Sequence, residues 1–376
     1  MDSPRIYLNN AATSWPKPDS VAQAVAKAVT SQPGSANRGG IQKRDVFDEA
    51  RRALAKKLGI SNHHGIALGY NATWGLNLAI LGFPFKKGDV VLTTKAEHNS
   101  VLRPLYKIEH EGRAKVVYLD TDAFGRVSEK AWREAVNKYR PALCIFNQAS
   151  NVTGAVVDSG ALTDIAKATG AVVLMDASQT LGWTDVRAED WGTDMVAFTG
   201  HKYLLGPQGV GGLYVRPGVV LEPLLVGGTG IKSDMDTMPE EMPLHLEAGT
   251  GNEPSVCGLV AALSWAEANP LPKPNCEARM QRLKEGIQRA GAVVINPKGA
   301  CTPVVSFNVP GHSAADVGDI LTESYDIICR SGLHCAPRIF ENLGCKSTVR
   351  LSLSRFTTDE EVDAVISAVR DIRGMI

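Results

Sequence analysis

The sequence predicts an α/β protein, with a large domain on a mainly parallel, seven-stranded sheet and a smaller α+β domain. Three observations predict it. Between residues 45 and 215, short runs rich in β-branched residues alternate with longer amphipathic segments, the pattern of parallel strands covered by helices. Several runs are apolar without interruption, as strands buried on both faces are, where a half-exposed antiparallel strand would alternate. After the glycine-rich and acidic stretch from Gly227 to Glu241 the alternation changes, and two helical patterns arrive before any further strand. At ~150 residues per domain, a chain of 376 residues holds two or three domains.

Taken in order, Val46 to Leu58 places Phe47, Ala50, Leu54 and Leu58 on one helical face, with its charges on the other. Six strand runs follow: Gly65 to Gly69, Asp89 to Thr94, Lys115 to Leu119, Ala142 to Asn147, Ala171 to Met175 and Asp194 to Phe198. A helical pattern from Leu76 to Leu81 succeeds the first. The seventh run, Gly211 to Val215, follows the turn Gly206-Pro207-Gln208-Gly209. Beyond the change of pattern, helices are expected at 255–268, 276–290, 313–323 and 359–372, and strands near 303–308, 326–330 and 348–353.

Forty basic and forty acidic residues cancel, so no long-range field draws the protein to nucleic acid. Hydrophobic residues at 44% and charged residues at 21% suit a chain that folds throughout. No apolar stretch approaches the ~18 residues of a membrane span. Met1 to Arg5 leads into Ile6-Tyr7-Leu8 without the basic start and apolar middle of a signal peptide, which predicts a cytoplasmic protein. The seven cysteines are scattered, with no C-x-x-C pair, so they are expected to be thiols rather than a disulfide framework or a zinc site.

In an open parallel sheet, ligands bind beyond the carboxyl ends of the strands. Three polar residues stand there: His98 after the second run, Asp176 after the fifth and Lys202 after the sixth. Individually they read as a polar core histidine, a helix cap and a surface lysine; together they converge on one edge. Gly69-Tyr70-Asn71-Ala72-Thr73-Trp74-Gly75 joins a strand to a helix, where free backbone N–H groups and the Thr73 hydroxyl suit a phosphate. Neither a G-x-G-x-x-G nor a Walker lysine motif is present, which disfavours dinucleotides and nucleoside triphosphates. An amine able to form a Schiff base, a carboxylate for a pyridinium nitrogen, an imidazole to stack and a phosphate cradle describe a site for pyridoxal 5′-phosphate.

Over nearly its whole length the chain resembles the class V aminotransferase-like group that includes cysteine desulfurases and selenocysteine lyases. Ile6-Tyr7-Leu8-Asn9-Asn10-Ala11-Ala12-Thr13 resembles the opening motif, which implies Asn10 near the substrate, and Glu97-His98-Asn99-Ser100 the ring-stacking histidine segment. Asn147 to Gly154 is similar to the loop whose asparagine, here Asn151, lies near cofactor and substrate. The resemblance implies Asp176 for the pyridinium nitrogen, Gln179 for the phenolic oxygen, Thr199-Gly200-His201-Lys202 for the cofactor lysine, and Ala72 and Thr73 for the phosphate. Asn9 stands where many relatives have aspartate, and Ala72 and Trp74 where several have Thr and Glu.

Arg330 to Pro337 resembles the active-cysteine segment of the type II, SufS-like desulfurases, with Cys335 as nucleophile and His334 and Arg330 close to it in sequence. Thr348-Val349-Arg350-Leu351-Ser352 resembles the strand whose arginine grips the substrate carboxylate. Glu247-Ala248-Gly249-Thr250 resembles the segment that brings a threonine, here Thr250, to the partner subunit's phosphate in a homodimer. What the resemblance implies is a PLP enzyme of fold type I, with a large domain over 15–255 and a small one from 1–14 and 256–376. The implied activity is cysteine desulfuration, giving L-alanine and a persulfide discharged to an acceptor protein or thiol. Selenocysteine lyase, and a transaminase or β-lyase in which Cys335 is incidental, are the alternatives.

Overall fold

A computed structural model of the chain describes residues 5–32 and 45–375. Residues 1–4, part of the expected small domain and of the N-terminal reading above, lie outside the described residues. Strand β1 (Ile6–Tyr7) and helices α1 (Asp19–Thr30) and α2 (Val46–Leu58) come first. Then follow β2 (Ile66–Gly69), α3 (Ala72–Leu81), β3 (Val90–Thr94), α4 (Asn99–His110), β4 (Lys115–Leu119) and α5 (Glu129–Tyr139). The series continues with β5 (Leu143–Asn147), α6 (Ser159–Lys167), β6 (Val172–Asp176), β7 (Met195–Thr199), β8 (Gly211–Val215) and α7 (Glu253–Ala268). All seven expected runs join one sheet, in the order β2-β8-β7-β6-β5-β3-β4. Strand β8 is antiparallel to both its neighbours and every other pair is parallel.

The apolar runs are continuous because the sheet has a core on each face. Cys144, Phe146, Val173, Met175, Val196 and Phe198 point to the side covered by α2, α5, α6 and α7. Their neighbours Leu143, Ile145, Leu174, Met195 and Ala197 point to the side covered by α3 and α4. Short-range chemistry sets the helix starts on that scaffold. The Asp45 carboxylate accepts from the amides of Phe47 and Asp48 at the start of α2, and Asn71 accepts from Trp74 at the start of α3.

The remainder comprises α8 (Lys273–Arg289), β9 (Val293–Val294), β10 (Val304–Asn308), α9 (Ala314–Tyr325), β11 (Ile327–Ile328), β12 (Arg330–Gly332), α10 (Phe340–Leu343), β13 (Thr348–Ser352) and α11 (Asp359–Arg373). An antiparallel sheet, β12-β13-β10-β9, packs Phe307, Val349 and Leu351 against Leu283 and Ile287 of α8 and Val365 and Val369 of α11. The strand expected near 326–330 is divided, because β11 pairs in parallel with the N-terminal β1 while β12 pairs with β13. The two-residue β9 is too short to leave a periodic signal. Helix α7 runs unbroken across residues 255 and 256 and sends Val256, Leu259, Val260 and Leu263 into the core beneath the large sheet. A division between residues 255 and 256 would fall within α7. Among the described residues, no helix is long and apolar enough to cross a membrane.

Candidate active site

The carboxyl ends of β2, β3, β5, β6 and β7 open onto one cavity of about 230 Å³. Ala72, Thr73, His98, Asn151, Asp176, Gln179, Thr199, His201, Lys202 and Arg350 all line it, joined by Arg330 of β12. Asp176 and Thr199 are the last residues of their strands rather than loop residues, since Asp176 is in register with Asn147 on β5 and Ala197 on β7. The strand backbone thereby aims the Asp176 carboxylate. Its Oδ1 accepts from the Ser178 amide at 2.8 Å and from the Ser178 hydroxyl.

His98 caps α4. Its Nδ1 accepts from the Ser100 amide at 3.0 Å, so the ring proton belongs on Nε2. Burial, followed by the charges of Lys202, Arg330, Arg350 and Arg103, holds its pKa down at about 3, so the imidazole is neutral. Thr73 Oγ1 lies 2.8 Å from Ser100 Oγ, which joins the start of α3 to the start of α4. Burial lowers the Lys202 amine to about 8; Asp176 pulls it up, and Arg350 and Arg330 push it further down.

Arg350 is buried at the centre of β13, where Nη1 donates to the Asn151 carbonyl at 2.9 Å and Nη2 to Asn9 Oδ1 at 3.0 Å. Among the described residues no carboxylate forms an ion pair with it, and its Nε has no partner. Burial, reinforced by Arg330, lowers it to about 10. A buried, uncompensated guanidinium at a cavity wall is suited to an incoming carboxylate.

Cys335 sits at the edge of this site, half-buried, with Arg330 Nη2 donating to its Sγ at 2.9 Å. His334 and Cys335 both adopt left-handed backbone, φ 51° and 58°, a conformation costly for non-glycine residues. Of the two neighbours singled out in the sequence, Arg330 meets the sulfur. His334 is buried and turns to β13, its Nε2 2.9 Å from Thr348 Oγ1.

Three expected residues do not line the cavity: Cys335, which meets it only through Arg330, and Asn10 and Thr250. Asn10 is fully buried beside it, but its carboxamide is consumed by backbone: Nδ2 donates to the Ser352 carbonyl at 2.8 Å and Oδ1 accepts from the Trp15 amide at 3.0 Å. The Asn10 side chain is therefore held by backbone, where the resemblance implied a place near the substrate. Thr250 is exposed and outside the cavity, on a segment tied down by Glu247, whose carboxylate meets Arg51 at 2.7 Å and the Leu68 amide at 2.6 Å.

Sequence reasoning missed Glu97. It is fully buried, its Oε1 accepts from Thr94 Oγ1 at 2.7 Å and from the Asn147 amide at 3.2 Å, and its Oε2 has no partner. Burial first, and Asp176 as well, raise it to about 8, so it is mostly uncharged at neutral pH. Ser178 and Ser100 were also missed; their signal was proximity in sequence to Asp176 and His98. The cavity is thus cationic, with Lys202, Arg330 and Arg350 opposite Asp176. Several buried polar atoms on its walls lack partners, among them Asn151 Oδ1, Gln179 Oε1, Thr199 Oγ1 and His201 Nδ1. Such a wall fits a polar, anionic cofactor together with a carboxylate substrate.

The family described as Aminotransferase class-V matches residues 6–365. The chain belongs to the class-V aminotransferase family. Among similar members, a probable cysteine desulfurase of Pyrococcus abyssi is 31% identical over 98% of this chain and 94% of its own length. The cysteine desulfurase CsdA of Escherichia coli is 28% identical over 97% and 93%. The apo structure of a cysteine desulfurase from Thermococcus onnurineus superposes with a TM-score of 0.91 at 29% identity, covering 99% of this chain and 95% of that one.

Proposed function

We propose that this class-V aminotransferase family member is a cysteine desulfurase that uses pyridoxal 5′-phosphate, converts L-cysteine to L-alanine and carries the sulfur as a persulfide on Cys335. The observation that carries this reading is the Cys335 sulfur held 2.9 Å from Arg330, a residue that lines the same cavity as Lys202, Asp176 and Arg350. The similarity over full length to proteins described as cysteine desulfurases supports it.

The cofactor fits the walls already described. Ala72, Thr73 and the free amides at the start of α3 would hold its phosphate, His98 would stack on the ring, Asp176 would face the ring nitrogen, Gln179 the phenolic oxygen, and Thr199, His201 and Asn151 would complete the enclosure. When bound, it supplies an electron-withdrawing ring that acidifies the substrate α-carbon. The rest falls to this chain's own groups. Arg350 takes the substrate carboxylate. Lys202 Nζ, brought to about 8, holds enough neutral amine near neutral pH to accept the α-proton and return one at the β-carbon. The Cys335 sulfur attacks the substrate sulfur; an S–S bond forms, the C–S bond breaks, and its electron pair stays with carbon and is protonated to give alanine. The persulfide then passes to a thiol or to an acceptor protein.

We also propose a homodimer in which Thr250 reaches the partner's phosphate. Its segment adjoins exposed apolar side chains at Leu224, Leu225 and Val226, through the 2.8 Å bond from the Gly249 amide to the Gly228 carbonyl. Seven free thiols suit a reducing compartment, which favours the cytoplasm.

The test is incubation of the purified protein with L-cysteine or L-selenocysteine, measuring alanine, sulfide, selenide and protein persulfide together. Stoichiometric alanine and persulfide are expected from cysteine. A Cys335→Ala variant should keep the cofactor absorbance and lose sulfur release. Alanine formation at the parental rate in that variant would overturn the role of Cys335, and keto-acid formation would point to transamination instead.

A further inference from the structure

The carbonyl oxygen of His201, one residue before Lys202, gathers four donors. They are the Ser14 amide at 2.9 Å, Thr13 Oγ1 and Ser14 Oγ at 3.1 Å each, and Lys17 Nζ at 3.2 Å. A carbonyl offers two lone pairs, so four donors on one oxygen make a strongly polarised, tightly held peptide. Lys17 Nζ also donates to Ser14 Oγ at 2.9 Å, leaving that hydroxyl free to donate onward to His201. Among the described residues no carboxylate forms an ion pair with Lys17. Burial lowers its amine to about 8, which agrees with a cation held by oxygen dipoles alone.

The segment that delivers these donors is fixed at its other end to β13. The Asn10 side chain donates to the Ser352 carbonyl at 2.8 Å, the Ala11 amide to Ser352 Oγ at 2.9 Å, and Asn9 Oδ1 accepts from Arg350 at 3.0 Å. Midway, the Ala11 carbonyl accepts from Gln179 at 3.0 Å. One stretch, Asn9 to Lys17, therefore ties the strand that carries Arg350 to the peptide that carries Lys202.

We infer that this stretch is a strap that positions Lys202, and that Lys17 is a positioning residue whose ammonium anchors the strap on the His201 carbonyl. The inference rests on the proposed role of Lys202 but not on the identity of the substrate. Loss of a charge-assisted bond to this carbonyl lets the Lys202 loop open more often, and a displaced amine slows proton transfer without weakening the carboxylate grip of Arg350.

The test compares hydrogen exchange in peptides covering residues 200–206, whose amides at Leu205 and Gly206 bond to the carbonyls of Lys202 and Gly200. In Lys17→Met these amides should exchange about tenfold faster, while peptides from β5 and β6 keep the parental rate. Turnover of L-cysteine should fall about tenfold with KM within about twofold, and Lys17→Arg should restore both. Ser14→Ala, which leaves the cation in place, should show a smaller change in the same peptides and serves if Lys17→Met folds poorly. Parental exchange at 200–206 in Lys17→Met overturns the strap. Faster exchange there in a protein that does not desulfurate cysteine would refute the proposed activity and leave the strap standing.

Discussion

Glu97 and Lys202 are buried groups of opposite sign whose proton affinities move toward each other, both to about 8. Burial drives both shifts, raising the acid and lowering the amine, because each charged form loses its water. For Glu97 the consequence is a stability that falls with pH. Between the ordinary carboxylate pKa near 4.5 and about 8 the folded chain holds a proton that the unfolded chain has released, so raising pH through that window favours unfolding. Glu97→Gln keeps the shape and removes the titration. Its melting temperature should lose that component of the pH dependence, which thermal denaturation from pH 5 to pH 8 will measure. Lys202→Ala, in contrast, should abolish cofactor absorbance and lower turnover by about 1000-fold or more, as loss of a reactive amine and proton carrier demands. Parental turnover would remove Lys202 from the mechanism.

At the scale of elements, the site is made of strand ends and helix starts. The start of α3 is held by Asn71, whose Oδ1 accepts from the Trp74 amide at 3.0 Å, so Asn71→Ala should cost about 1 kcal/mol in urea denaturation and weaken cofactor retention together. Trp74 explains Gly69: a Cβ there would lie 2.2 Å from the indole. Gly69→Ala should therefore destabilise by about 1–3 kcal/mol by overpacking, measurable by the same denaturation. The seven strands and most helices were legible because each carries a two-faced or one-faced apolar pattern. The sequence runs end one residue short of Asp176 and Thr199 because polarity alone cannot separate a strand's last residue from the residue beyond it; pairing of Asp176 with Asn147 and Ala197, and of Thr199 with Gly211 on β8, does so.

For the whole molecule, the N-terminal segment is the connection that matters, because β1 pairs with β11 while Thr13 to Lys17 reach the Lys202 peptide. Sites assembled from both parts respond to how those parts are held together. The proposed dimer belongs to the same scale. Leu225→Glu, placed on the exposed apolar segment at 54% exposure, should turn a dimer into a monomer in analytical ultracentrifugation and reduce cofactor retention; an unaltered dimer would move the interface elsewhere.

Local chemistry in the sequence was enough to read the seven strands of the large sheet and to place His98, Asp176 and Lys202 at its carboxyl edge, since these depend on residue type, periodicity and position after a strand. Tertiary structure alone decided which neighbours those groups have. Asn10 and Asn9 are adjacent in sequence, yet one is spent on backbone while the other holds Arg350. Arg330 and His334 both lie near Cys335, yet only the arginine meets the sulfur. Glu97 and Lys17 gained their roles from burial and from partners remote in sequence, Asn147 and His201, and no spacing rule encodes a contact that forms only when the chain has packed.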